Sequence, residues 1–253
     1  TYKLDKPLKR GENMEIEYYC TLARKGYNSL TSVAHNGAFF NSMTFFPHLG
    51  YSDGYELLSE EKRKKYDLPD KMRMAAVDDE KALMNNYISD DADWVNYEAV
   101  VSTSEGQTAI TPGYLQDEWS TDGRHYYHYK MDHPVINFFC YVSADYEEKK
   151  AVWTDENGED VELTVYYDEK HPFNVDRMLG ALQKGLDYFT KNFGAYPDRQ
   201  VRILEFPRYS AYAQSFANTI PYSESIGFVA NVKDGSEDID YPFWVTAHEL
   251  AHQ

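Results

Sequence analysis

The sequence predicts a mainly β amino-terminal domain of antiparallel, sandwich-like sheets, followed by the start of an α+β domain. Three observations carry this expectation. Short apolar–polar alternating runs fill residues 93–166, separated by Pro112-Gly113, Asp122-Gly123 and Asn157-Gly158. From Asn174 to Asn192 the apolar residues recur every three or four positions. The last residues, Thr246-Ala247-His248-Glu249-Leu250-Ala251-His252-Gln253, read His-Glu-x-x-His on a helical pattern. The change of character near Asp168 to Pro172 divides the chain into 1–168 and 169–253.

Residues 1–58 read as β-structure. Glu15 to Leu22 alternates as a half-buried strand does, and Gly11, Gly26, Asn36-Gly37 and Asp53-Gly54 mark turns. Phe39, Phe40, Phe45 and Phe46 form an aromatic cluster expected in a core. Ser59 caps a short helix over 59–66, whose acids come first and bases last, matching the helix dipole. A second helical patch is expected over 79–87. Strands are expected over 95–102, 108–110, 124–130, 135–143, 149–153 and 161–166. His125, His128 and His133 fall among them and read as ordinary polar residues. Asn174 is expected to cap a helix whose apolar stripe runs through Val175, Met178, Leu179, Leu182, Leu186 and Phe189, with Gly194 as its stop. Strands over 201–206 and 226–231, an acidic loop over 233–240, and the helix carrying the histidines complete the order. Asp240 or Tyr241 can cap that helix, and Pro242 suits its first turn.

Composition bounds the function. The chain has 253 residues, 42% of them apolar and 16% aromatic, enough for a packed core. A net charge of −17 argues against nucleic acid or anionic membrane surfaces as partners, which need basic patches. It suits a cationic substrate, such as a peptide with a free amino terminus. Cys20 and Cys140 are expected to be free, buried thiols. The longest apolar stretch, near 135–142, is too short to span a bilayer.

On a helix, His248 and His252 lie on one face and can hold a single metal ion. Glu249 stands beside them, placed to act on a water at that ion, which is the zinc-peptidase arrangement. A catalytic zinc needs three protein ligands and an open position. A third ligand is therefore expected beyond Gln253. The chain also starts at Thr1, and both ends read as cuts in a longer protein.

An ordered set of stretches resembles the gluzincin aminopeptidase family, which contains aminopeptidase N. Asn192-Phe193-Gly194-Ala195-Tyr196-Pro197 is similar to the turn into that family's first catalytic strand. Residues 135–147 resemble the last long strand of its amino-terminal β domain, and His248-Glu249-x-x-His252 its zinc helix. Residues 205–210, 213–216 and 219–228 resemble a bacterial branch whose peptidase domain is often fused to membrane-spanning, transporter-permease-like segments. The resemblance implies a saddle-like β domain before a thermolysin-like catalytic domain, and a membrane-associated parent. It implies Zn held by His248 and His252, with Glu249 as general base and a Glu ligand further on. The family's Gly-x-Met-Glu-Asn glutamate grips the substrate's free amino group. Glu224, in Tyr222-Ser223-Glu224-Ser225, stands at a similar spacing before His248, with the Gly, Met and Asn replaced. The implied activity is removal of amino-terminal residues from peptides, with the fragment by itself inactive. The alternative is a non-enzymatic extracytoplasmic β-rich binding module with a vestigial zinc motif. A further alternative is an endopeptidase or epoxide-type hydrolase on the same scaffold.

Overall fold

The computed structural model describes residues 3–22, 32–34, 36–47, 56–71, 75–84, 88, 93–235 and 237–253. The amino-terminal half contains β1 (Val33–Ala34), β2 (Gly37–Asn41), α1 (Ser42–Phe45), α2 (Glu60–Lys65), β3 (Trp94–Val95), β4 (Glu98–Ser104), β5 (Thr108–Ile110), β6 (Tyr114–Thr121) and β7 (Arg124–Lys130). Next come β8 (Val135–Ile136), β9 (Cys140–Ala144), β10 (Glu147–Thr154), β11 (Asp160–Tyr167), α3 (Val175–Phe193), β12 (Gln200–Phe206), β13 (Thr219–Ser223) and α4 (Tyr241–Leu250).

The fold is mainly β, as expected. Among the described residues three sheets are antiparallel: β1-β2-β9-β5, β4-β7-β6 and the pair β3-β8. The fourth, β10-β11-β12-β13, is mixed: β10 and β11 are antiparallel, while β11, β12 and β13 run parallel. This sheet crosses the division expected between residues 168 and 169.

Alternation along β12 explains the layering. Val201 and Ile203 pack with Leu163, Val165 and the buried stripe of α3, and α4 adds Val245 and Leu250 to that core. Leu204 and Phe206 face the other way, into a second core with Phe39, Ile110, Phe138, Cys140 and Val142. The parallel strands β12 and β13 are thus buried on both faces, as parallel strands generally are, while β10 at the sheet's edge is largely exposed.

The structure corrects several expectations. Residues 15–22 form no strand; they are mostly exposed, and alternation without a paired neighbour makes no ladder. The run over 135–143 is broken into β8 and β9. Residues 226–229 lie in turns, not a strand, with Phe228 fully buried against Tyr222. A single 3₁₀ turn, Ala82–Met84, stands in the 79–87 patch, of which 85–87 lie outside the described residues. The expected turns at Gly26 and Asp53-Gly54 also lie outside them. Ser59 accepts from the Lys62 N–H, as a cap should. Cys140 is buried but Cys20 is exposed; both are free. Among the described residues no helix is long and apolar enough to cross a membrane.

Candidate metal centre

The geometry of α4 follows from its ends. The Asp240 side chain accepts from the Phe243 N–H, and Pro242 occupies the first turn. Arg177 of α3 pairs with Asp240 at 2.5 Å, fixing where the helix starts. Gly185 of α3 lets α4 come close: a Cβ there would stand 2.7 Å from Leu250 Cδ2. At the other end, Gln253 donates to Ser215 Oγ (2.9 Å) and to the Phe216 carbonyl (2.7 Å), and accepts from Tyr196 OH (2.7 Å). Both ends of the histidine-bearing segment are therefore held by other parts of the chain.

His248 and His252 present their Nε2 atoms to each other at 3.2 Å. Zn–N bonds of about 2.0–2.1 Å in tetrahedral geometry place two ligand nitrogens about 3.3 Å apart. The pair thus fits one zinc ion without a large change of rotamer. Trp244 stacks on the His248 ring, with centroids 5.5 Å apart, and limits its rotation. Burial, then the neighbouring His248, hold the His252 imidazole below its ordinary pKa. That favours the neutral, ligating form. Glu249 is 7% exposed, and burial pushes its carboxyl up to about 7.

His248, Glu249 and His252 line one wall of a cleft of about 930 Å³. Trp94, His133 and Val135 approach it from the amino-terminal half, and Asp198, Gln214 and Phe216 from the carboxy-terminal half. His133 therefore belongs to the cleft wall, with Nδ1 hydrogen-bonded to Asp132 at 2.9 Å. His125 and His128 stay at the surface sheet, against Glu118 and Glu98. Gln214 and Gln253 carry no signal of their own in the sequence. Only the folded arrangement brings them to the cleft that His248, Glu249 and His252 line.

Glu224 is not brought there. It does not line the cleft; its carboxylate accepts from the Arg208 N–H (3.0 Å) and Asn36 Nδ2 (3.4 Å). It faces Glu205 and His171 instead, across the ends of β12 and β13. Burial pushes the Glu205 carboxyl up to about 7. The expected amine-gripping role is corrected on this ground: the distance along the chain to His248 is right, but the side chain points elsewhere.

No family model matches the chain, and no curated protein matches it. Solved structures do. Aminopeptidase A of Legionella pneumophila, crystallised with aspartic acid, superposes with a TM-score of 0.58 at 15% identity over 65% of this chain. The M1 zinc metallopeptidase of Deinococcus radiodurans superposes with a TM-score of 0.52 at 16% identity over 68%. The chain spans 20% of the Legionella protein's length and 36% of the Deinococcus protein's. At such identities the likeness is one of fold: the mainly β architecture with its antiparallel sheets is shared with these peptidases.

Proposed function

We propose that this chain is part of a zinc metallopeptidase, and that peptides with a free amino terminus are its substrates. The 3.2 Å approach of the two Nε2 atoms, with a buried carboxylate beside them at a cleft wall, carries the reading. The shared fold with an aminopeptidase and a zinc metallopeptidase supports it.

His248 and His252 would supply two protein ligands. A bound zinc would lower the pKa of water towards ~7 and polarise a carbonyl. Glu249, with its carboxyl raised to about 7, is suited to take a proton from water and return it to a departing amine at neutral pH. The segment Ala213–Phe216 is bridged to β13 and lines the cleft, so its backbone is the edge an extended peptide would lie along.

The test is made on the whole protein. Glu249→Gln should keep stoichiometric zinc and lower kcat by at least about a hundredfold. His248→Ala should lose the metal. A protein free of zinc at equilibrium, or undiminished turnover in Glu249→Gln, would sink the proposal and favour a binding module. Hydrolysis of free peptides but not their amino-acetylated forms separates an aminopeptidase from an endopeptidase.

A further inference from the structure

We propose that His171, Glu205 and Glu224 form a second divalent-cation site, separate from the cleft. The parallel strands β11, β12 and β13 end side by side, and each end delivers one member. His171 lies in the loop after β11, Glu205 is the next-to-last residue of β12, and Glu224 follows β13. The carboxyl edge of parallel strands is a common place for ligands. One nitrogen and two carboxylate oxygens, one from each residue, lie within 4.8 Å of one another.

The members are held as ligands need to be. His171 Nδ1 contacts Glu205 Oε1, and Glu205 Oε2 accepts from the Asp168 N–H at 2.7 Å. Glu224 is steadied by the Arg208 N–H and Asn36 Nδ2. These contacts orient the carboxylates and leave lone pairs for an ion. Glu205 is only 5% exposed. Among the described residues, no lysine or arginine side chain forms an ion pair with either carboxylate. Buried charges are as a rule paired or bound to metal; among the described residues the buried Glu205 has His171 as its ion-pair partner, and the partly exposed Glu224 forms no ion pair. A void of about 10 Å³ lies against Glu205 and Glu224, two of the three members, and is lined also by Asp145, Tyr146 and Asp168; it has room for about one small ion or water. One imidazole nitrogen with two carboxylate oxygens suits Zn²⁺ or Mn²⁺. None of the three lines the cleft, so this site does not depend on the reading of His248 and His252.

The test uses the chain carrying His248→Ala and His252→Ala, which removes the cleft ligands. After dialysis against Zn²⁺, this variant should retain about one equivalent of zinc by elemental analysis. Adding Glu224→Gln, a conservative change at a partly exposed residue, should weaken zinc affinity at least tenfold while leaving the circular dichroism spectrum unchanged. Co²⁺ in place of zinc should give a visible ligand-field spectrum that His171→Asn abolishes. Loss of all zinc from the cleft double variant would overturn the proposal and leave a proton-sharing His171–Glu205 pair. Affinity unmoved by both Glu224→Gln and His171→Asn would also overturn it. If instead the double variant keeps every equivalent that the unaltered chain holds, the cleft reading fails and this one stands.

Discussion

Asn174 stands at the start of α3 with its carboxamide turned away from the helix that its type and position suggest it caps. It is 4% exposed and donates to the carbonyls of Gly227 (2.8 Å), Phe228 (3.2 Å) and Ala230 (2.9 Å). An amide group has two N–H hydrogens, so three carbonyls share them. The turn after β13 closes on this one side chain. Asn174→Ala leaves buried carbonyls without a donor and should cost about 2 kcal/mol. Asn174→Asp keeps the size but sets a carboxylate against three carbonyl oxygens, so it should cost more than Ala. Urea unfolding at pH 7 measures both, and an Asp variant as stable as the Ala variant would contradict the account. The sequence carries the tendency of Asn to cap, a local preference that a distant set of carbonyls outweighs. Glu224 teaches the same lesson at the candidate site. Spacing tells how far along the chain a carboxylate lies, and nothing of the side on which it emerges.

Elements were legible where one period persisted over a long run. The α3 stripe and Gly194 bound that helix closely, and Asp240, Pro242 and the motif located α4. The strands β6 and β13 were not legible, for opposite reasons. β6 is exposed along nearly all its length, so no alternation marks it. β13 is buried at every residue and holds Pro221, a residue that argues against a strand. Pro112-Gly113 reads as a turn in the sequence, but the crowding around it does not show there, because it involves residues far along the chain. Gly113 has φ +104, and a Cβ there would come 2.9 Å from the backbone carbon of Lys130. Its carbonyl also accepts from Gln200 Nε2 (2.9 Å) and Arg202 Nη2 (3.0 Å). Gly123, at φ +71, has open space around its α-carbon. Gly123→Ala should therefore cost only the left-handed backbone, about 1 kcal/mol. Gly113→Ala adds a clash with backbone that has nowhere to move and should cost at least about 2 kcal/mol. Thermal unfolding compares the two, and equal losses would show that the approach to Lys130 carries no energy.

At the scale of the whole molecule, the change from strand periods to a helix period near residue 168 suggests two domains, yet the hydrogen bonding runs through that point. β11 pairs with β12 along five residue pairs, from Glu162 with Gln200 to Tyr166 with Leu204. Arg202, 5% exposed, reaches from β12 to the carbonyls of Thr111 and Gly113, and Tyr146 OH donates to the Glu205 carbonyl at 2.6 Å. The second core mixes Phe39, Ile110 and Phe138 with Leu204, Phe206 and Phe216. A cut between 168 and 169 would leave β11 an open edge with Leu163 and Val165 stripped of α3 and β12, both of which cover them here. Residues 1–168 alone should therefore lack a cooperative unfolding transition and self-associate. The 253-residue chain should unfold in one step, its far-ultraviolet circular dichroism and its tryptophan fluorescence changing together. Trp94 and Trp119 report on the amino-terminal sheets, Trp153 on the shared sheet and Trp244 on α4, so fluorescence samples every layer. Two separated transitions, or a sharp transition in 1–168 alone, would mean that the shared sheet does not couple the halves. The cleft between them would then be a hinge, and the spacing from His133 and Trp94 to His248, Glu249 and His252 would vary with it. A single transition would mean that the cleft walls are fixed by the same strands that bury the core.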